Sequence, residues 1–395
     1  MSGTLVDNLR LLGSAGTNTV MAGELSRLAR RASLAAQLAA PKKDGLGALV
    51  YPFDADLAAL AVRYHRTSSR VLWDLFQSDA ARLEPLYADV RAAMETDARP
   101  WLETGMGISV DAYAVNDFAA GERQIVGTVK NAVIDGAATR GCALHVEPQT
   151  PDVHLSVRLR DGVLTVSIDL AGRPMNQRGY RVGGGEAPLR EDVAAVLLML
   201  ARYDARHEAL FDPMAGSGTI AIEAACMAQG RPLWIPPRHP ACATLPPFRD
   251  RLAAPALSLF ADTTPVVIAN EVDPATQALC TRNVKRAGVA AFVERLNGDF
   301  RSMSRDAIVA RVTARGLSSE RGLLLSNPPY GHHLADPHLV QLYRDLGDYC
   351  RTFRGWRAGF LVANPEFEPT FGGRPRIRKP LSNGPLRGYF LLYDL

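Results

Sequence analysis

Phe211-Asp-Pro-Met-Ala-Gly-Ser-Gly-Thr-Ile-Ala-Ile-Glu223 decides the architecture. The short apolar run Leu210-Phe211 ends in an acid, a Gly-x-Gly turn follows, and an apolar helix opens at Thr219. A strand, glycine turn and helix in that order bring backbone N–H groups close to a ligand over a helix N-terminus, as in the first βα turn of a nucleotide-type site. Asp212 narrows the ligand. A carboxylate there repels phosphate and suits a cationic ligand bearing an amino group, such as S-adenosyl-L-methionine.

The same grammar repeats downstream. Val266-Val-Ile268 runs on through Ala-Asn-Glu271-Val-Asp273, placing an acid after a second apolar strand, where it can accept hydrogen bonds from two ribose hydroxyls. Glu271 is the better placed, and Asp273, just before Pro274, is equally suited to capping the helix that starts there. Asn297-Gly-Asp299-Phe300 offers an acid for an adenine amino group and a ring to pack on the base, although an acid in a surface turn has the same spelling.

The reaction is carried by Leu323-Leu-Leu-Ser-Asn327-Pro328-Pro329-Tyr330-Gly331. Two successive prolines donate no backbone hydrogen bond and hold a rigid extended exit from a sheet. That exit presents the Asn327 amide, the Pro328 carbonyl and the Tyr330 ring together. The two oxygens can accept both hydrogens of an exocyclic amine and turn its lone pair toward an electrophilic methyl, with Tyr330 stacked on the base. Asn327, Pro328, Pro329 and Tyr330 are the expected catalytic residues, and the chemistry needs no metal. His332 and His333 form an adjacent pair without further ligands, which predicts a surface loop.

Leu210-Phe211, Val266–Ile268, Leu323–Leu325 and Gly359–Val362 alternate with helical stretches, the order of a parallel sheet with crossover helices. Leu189–Leu200 predicts a helix leading into that sheet, Arg231–Pro265 an insertion or lid outside the core, and Arg178–Gly185 a Gly-rich basic linker. Earlier, Val153–Leu159 and Leu164–Leu170 alternate about Asp161-Gly162 as a β-hairpin, Ile108–Val115 as a strand, and Ile125–Ala138 carries a helical stripe. The spacing of Val71, Leu72, Leu75 and Phe76, then Leu83, Leu86, Val90 and Met94, predicts helices, as does Glu24–Ala40.

At 395 residues the chain has room for two or three domains, and 47% hydrophobic with 22% charged residues excludes general disorder. A net charge of +4 does not announce a nucleic-acid binder. Locally, eight basic and two acidic residues between Arg351 and Gly388 give +6, and Arg374–Lys379 with Phe371 nearby suits a phosphate backbone with occasional stacking or, as well, a solvated face. Five scattered cysteines without a C-x-x-C fit thiols in a reducing compartment. Met1–Leu12 lacks the basic start and unbroken apolar core of a signal peptide, and no stretch approaches the roughly 18 apolar residues of a membrane span. The expectation is a cytoplasmic protein without membrane contact.

Asp212-Pro-Met-Ala-Gly-Ser-Gly-Thr219 with Asn327-Pro-Pro-Tyr330 is similar to the amino-group methyltransferases that use S-adenosyl-L-methionine. Arg178-Gly-Tyr-Arg181, Ala187-Pro-Leu-Arg190-Glu191 and Ser382-Asn-Gly-Pro-Leu386 narrow the resemblance to the THUMP-domain RNA guanine-N2 methyltransferases, especially those of 23S ribosomal RNA. It covers residue 66 to the C-terminus, and Gly127–Asp135 matches a helix that family uses against RNA. Ala215 stands where the family commonly has cysteine, and residues 1–65 have no convincing counterpart.

The resemblance implies a Rossmann-like seven-stranded α/β methyltransferase domain over 179–395, preceded by an α+β THUMP/ferredoxin-like RNA-binding module over 66–178 and a divergent segment over 1–65. It implies that Asp212, Gly216 and Gly218 contact the methionine part of the cofactor, Glu271 its ribose and Asp299 its adenine, and that Ala187, Pro188 and Leu189 close over it; Pro213, Ala215, Thr219, Asp273 and Phe300 are the other expected cofactor-binding residues. The expected partner is RNA, ribosomal before transfer RNA. Two readings stay open: the same chemistry on another amine, such as transfer-RNA guanine, adenine N6 or a protein glutamine, and a noncatalytic RNA-binding ribosome-assembly factor.

Overall fold

The computed structural model, which describes residues 3–183, 188–235, 238–253, 256–260, 263–330 and 337–395, places Val71, Leu72, Leu75 and Phe76 on a strand rather than a helix. Residues 71–76 are nearly continuously apolar because this strand is central and buried along its length, and four positions happen to mimic a helical spacing. The helix expected over Glu24–Ala40 instead runs Asn18–Arg31, with Gly23 inside it, because its buried stripe of Met21, Leu25 and Leu28 begins before the glycine.

The first unit comprises β1 (Thr4–Leu12), α1 (Asn18–Arg31), β2 (Lys42–Lys43), β3 (Ala48–Pro52), α2 (Ala55–Tyr64), β4 (Arg70–Ser78) and α3 (Leu83–Thr96). It continues through β5 (Gly107–Tyr113), α4 (Glu122–Thr139), β6 (His145–Val146), β7 (Val153–Arg160) and β8 (Val163–Asp169). Among the described residues its strands form one eight-stranded sheet in the order β2-β3-β1-β4-β8-β7-β5-β6. The sheet runs across the division drawn at residue 65, since β1 pairs with β4 from Thr4↔Gln77 to Leu12↔Arg70. Side chains alternate across it. One face packs Leu9, Trp73, Leu155 and Ile168 with apolar residues of α1–α4, whereas Arg10, Asp74, Ser156 and Ser167 point the other way.

The second unit begins with α5 (Glu191–Leu200), β9 (Ala209–Asp212), α6 (Thr219–Ala228), β10 (Val267–Glu271), α7 (Pro274–Arg286) and β11 (Val293–Asn297). It ends with α8 (Arg305–Thr313), β12 (Gly322–Ser326), α9 (Pro337–Arg351), β13 (Arg357–Val362), α10 (Phe367–Phe371), β14 (Ile377–Asn383) and β15 (Leu386–Asp394). Its sheet has seven strands among the described residues, ordered β11-β10-β9-β12-β13-β15-β14; the first five are parallel and β15 runs antiparallel to its neighbours. Residues of α5, α6 and α7 cover one face and those of α8, α9 and α10 the other, so every crossover buries an apolar stripe on the sheet.

Two sequence expectations fail at the junction. Arg231–Pro265 is not an insertion outside the core: Leu245 and Phe248 are fully buried in the first unit, where Phe248 meets Phe53 and Trp73 edge-on at 6.4 and 6.5 Å. The segment is a strap. Its Leu233 N–H donates to Arg63 O at 2.8 Å, Trp234 Nε1 to Val62 O at 3.0 Å and Cys242 N–H to Leu170 O at 2.9 Å. Nor do residues 178–183 form a loose linker (Gly184 and Gly185 of that expected linker lie outside the described residues), because Arg178 and Tyr180 are each only 2% exposed. Glu223, on α6 and fully buried, explains both: its Oε2 accepts from Arg66 Nη1 at 2.9 Å, and its Oε1 accepts from Tyr180 Oη at 3.3 Å and lies 3.5 Å from Arg178 Nε. Arg178 Nη2 also donates to Arg66 O at 2.6 Å.

Replacing Glu223 with alanine strands two buried guanidinium groups without counter-charge, and the expected cost is about 3–5 kcal/mol. Urea unfolding of Glu223→Ala and of Glu223→Gln, which keeps an acceptor, checks this; an alanine variant as stable as the parent would mean that the junction is held by something else.

Candidate functional site

Parallel strands end on one edge, and the acids singled out in the sequence stand there. β9 lies between β10 and β12, so Asp212, Glu271 and Asn327, each at or just past a strand end, come from three adjacent strands at the carboxyl edge. Asp212 is 1% exposed, and its Oδ1 accepts from Ser326 Oγ at 2.6 Å and Met214 N–H at 3.2 Å. Burial pushes its carboxyl up to about 7, against the pull of those two donors. An arriving cation would favour loss of that proton.

The turn after Asp212 is shaped by its glycines. Gly218, at φ 86°, caps α6, and a Cβ there would come within 2.7 Å of Cys280 Sγ; a Cβ on Gly216, at φ 55°, would project into open space. The Gly216 N–H donates to Glu271 Oε2 at 2.9 Å and the Asp273 N–H to Oε1 at 3.0 Å, so the Glu271 carboxylate is oriented from both sides and keeps lone pairs for further donors.

Asp273 is the helix cap: its Oδ2 accepts from Thr276 N and Oγ1 at 2.8 and 2.6 Å at the start of α7. Asp299 is held by Arg301, whose Nε reaches both carboxylate oxygens at 2.9 Å, and this pairing keeps the carboxyl below its ordinary range. Phe300 is 4% exposed and packs edge-on against Tyr349 at 5.3 Å, which makes it a core residue. Pro213 O accepts from Asn270 Nδ2 at 3.0 Å, and the Ala215 N–H donates to Asn270 O at 2.7 Å.

Arg181 ties the other wall. Its Nη2 donates to Leu189 O at 2.8 Å and to Thr219 Oγ1 at 3.2 Å, joining the Pro188–Leu189 segment to the first residue of α6. Asn383, at the end of β14, accepts from Arg190 N–H at 3.0 Å and donates to Pro188 O at 3.4 Å. Ala187, Gly331, His332 and His333 lie outside the described residues.

Beyond β12, Pro328 is buried and Pro329 exposed, while Asn327 and Tyr330 are half-buried. The Tyr330 hydroxyl donates to Asn327 Oδ1, and burial raises its pKa, so it remains a donor. The exit is braced from below by Tyr343 Oη on Pro329 O at 2.7 Å and Asn364 Nδ2 on Tyr330 O at 3.1 Å. The Pro328 carbonyl accepts no hydrogen bond among the described residues. Asn327 Oδ1 and Pro328 O thus offer acceptor capacity at the same edge as Asp212.

Sequence reasoning missed Asn270, Asn283, Ser326 and Asn364. Asn283, 1% exposed, donates to Ser217 O at 3.0 Å and accepts from Val182 N–H at 3.0 Å. For Asn270 and Ser326 a polar residue inside an apolar strand was the available signal. In the basic C-terminal stretch, Phe371 is 2% exposed and stacks on Phe367, so it offers no surface for a base. Tyr389 is the exposed ring instead, with Arg378 over it at 3.7 Å. Among the described residues no group of three or more His, Cys, Asp or Glu could hold a metal ion, and no helix is long and apolar enough to cross a membrane.

The family model UPF0020, RMKL-like methyltransferase domain, matches residues 178–390. Curated relatives called ribosomal RNA large subunit methyltransferase K/L include one from Legionella pneumophila strain Lens, 33% identical over 65% of this chain and 36% of its own length. Others come from Marinobacter nauticus, 31% identical over 85% of this chain and 46% of its length, and Chromohalobacter salexigens, 30% over 86% and 47%. The chain therefore spans less than half the length of these relatives. Among solved structures, SMU.472 complexed with SAH superposes with a TM-score of 0.80 at 21% identity, covering 100% of this chain and 98% of that one. TrmN from Thermus thermophilus gives 0.67 at 19% identity, covering 98% and 99%. The chain belongs to the RMKL-like methyltransferase domain family and has the α/β methyltransferase fold.

Asp212 holds a proton in the folded protein that the unfolded chain releases above its ordinary value of 3.8. Its contribution to stability is complete below that value and is lost as pH rises toward about 7. Asn at this position keeps the acceptor for Ser326 and does not titrate. The melting temperature of Asp212→Asn relative to the parent should therefore rise between pH 5 and pH 8, by about 2 °C or more; a difference that stays flat with pH would refute a protonated Asp212.

Proposed function

We propose that this chain transfers a methyl group from S-adenosyl-L-methionine to the exocyclic N2 amine of a guanine in RNA, with 23S ribosomal RNA as the target class. The observation that carries the proposal is the meeting of Asp212 and Glu271 with Asn327-Pro-Pro-Tyr330 at the ends of three adjacent strands. The names of the curated relatives favour ribosomal RNA. The first unit acts as the THUMP-like holder of the RNA.

The open space beside Gly216 and the buried carboxyl of Asp212 fit the methionine end of this cofactor; Glu271 takes its ribose hydroxyls and Asp299, steadied by Arg301, its adenine amino group. When bound, the cofactor supplies a methyl group already activated by the sulfonium charge. What remains for the protein is alignment. Asn327 Oδ1 and Pro328 O accept the two amine hydrogens of a flipped-out guanine, aiming the nitrogen lone pair along the line of displacement, and the Tyr330 ring covers one face of the base. The Tyr330 hydroxyl fixes which way Asn327 points. As the N–C bond forms and the S–C bond breaks, the nitrogen becomes positively charged and sheds one proton to solvent or through its two acceptors.

Asn327→Ala should lower turnover by at least about 100-fold while S-adenosylhomocysteine binding, measured by calorimetry, stays within about twofold. Labelled-methyl transfer to total RNA followed by nucleoside mass spectrometry checks the product. N2-methylguanosine from the parent and none from the variant is expected; full activity in the variant, or N6-methyladenosine as product, would overturn the assignment.

A further inference from the structure

The strap that closes the two units together also carries charge without counter-charge. Arg173, in the turn after β8, lays its guanidinium over the Trp234 ring at 4.8 Å, and Arg238 stands next to it on the strap. Neither side chain has a carboxylate partner among the described residues. Gly179 lies beside Arg238: its φ of 97° favours glycine, and a Cβ there would stand 2.6 Å from Arg238 Nη1, so the guanidinium would have to move aside. Burial first, and then repulsion from the charge of Arg238, lower the Arg173 pKa. Such repulsion is relieved by an anion.

Each of the pair lines one of two grooves, Arg173 the first and Arg238 the second. One, of about 550 Å³, lies against α4 and β7 and is lined by Lys130, His154, Arg173 and His239; its one acid, Asp111, lies 3.3 Å from His154 Nε2. The other, of about 480 Å³, runs past Arg238, Arg181 and Arg190 to Pro188 and Leu189, the wall already tied to Thr219. Its acid, Glu191, is engaged by Arg181 at 3.2 Å, while Arg181 Nη1 is buried without a partner. Lys130, Arg173, Arg238 and Arg181 therefore follow one another from the first unit to the edge of the methyl-transfer cleft. A small anion would fill one step of this path; only a polyanion uses all of it.

We propose that this track, centred on Arg173 and Arg238, receives the phosphate backbone of the substrate RNA and leads it from the first unit over the strap to the Pro188–Leu189 wall. It rests on the reading of the protein as an RNA methyltransferase and adds which residues deliver the strand to the site. The strap then has a second role: it places Arg238 between the two units.

The test measures binding of a fluorescently labelled RNA stem-loop to the full chain over a salt series. Arg173→Ala/Arg238→Ala should weaken binding and make the slope of log K against log salt shallower by about one to two units, one for each lost phosphate contact. Arg321→Ala, an exposed arginine just before β12 at the opposite edge of the second sheet, should leave the slope unchanged. S-adenosylhomocysteine binding to the double variant, unaltered from the parent, shows that the fold and cofactor site are intact. If the double variant keeps the parent's slope while the parent binds RNA, the track is wrong and the methyltransferase reading stands. If the parent itself does not bind RNA, both fall.

Discussion

Everything at the edge of the second sheet takes its position from one carboxylate. Glu223 stands on α6, the helix that begins at the Gly-Ser-Gly turn, and its partners come from the first unit and from the segment between the units. A buried ion pair of this kind adds little net stability, since desolvating three charges offsets most of their attraction. Its value is directional. Only one placement of α6 lets Arg66, Arg178 and Tyr180 reach the same two oxygens, so the turn that lines the cleft is registered against the eight-stranded sheet as firmly as if both were one layer.

The site was legible where its chemistry is spelled locally. A strand end, an acid and a turn follow one another within a few residues, and Asp212, Glu271 and Asn327-Pro-Pro-Tyr330 could be found because each is punctuated by its own apolar run. What decides Phe300 and Phe371 is not local. Each has a sequence neighbourhood that suits an exposed ring, and each is claimed by the core under α9 and α10, which only the folded chain assembles. Arg178–Gly185 misled for the same reason: glycine and arginine read as solvent-exposed linker until a counter-charge from a distant helix is set against them. The central strand β4 was mistaken because a strand buried on both faces loses the alternation by which strands are recognised.

The charge distribution resolves a puzzle of composition. Within a net +4 over 395 residues, Asp212 and Glu271 stand together at the carboxyl edge, while Arg173, Arg181, Arg190 and Arg238 line two grooves. Asp212 is partly neutral near physiological pH, because burial there disfavours its charge until a cation supplies what water no longer does. The carboxyl edge is therefore less acidic than a count of its acids suggests.

The route of the strap has a consequence for how such proteins can change over time. The chain passes from the first unit to the second near Arg178, returns at Leu233 to lend Leu245 and Phe248 to the first unit's core, and leaves again before β10. The two units are interlaced in the gene although they are separate sheets in space. Recombination at the apparent boundary would yield a first unit with a hole beside Trp73 and a catalytic unit trailing an apolar segment. Exchange of the first unit between relatives therefore has to bring the strap with it, so that the two halves are inherited together.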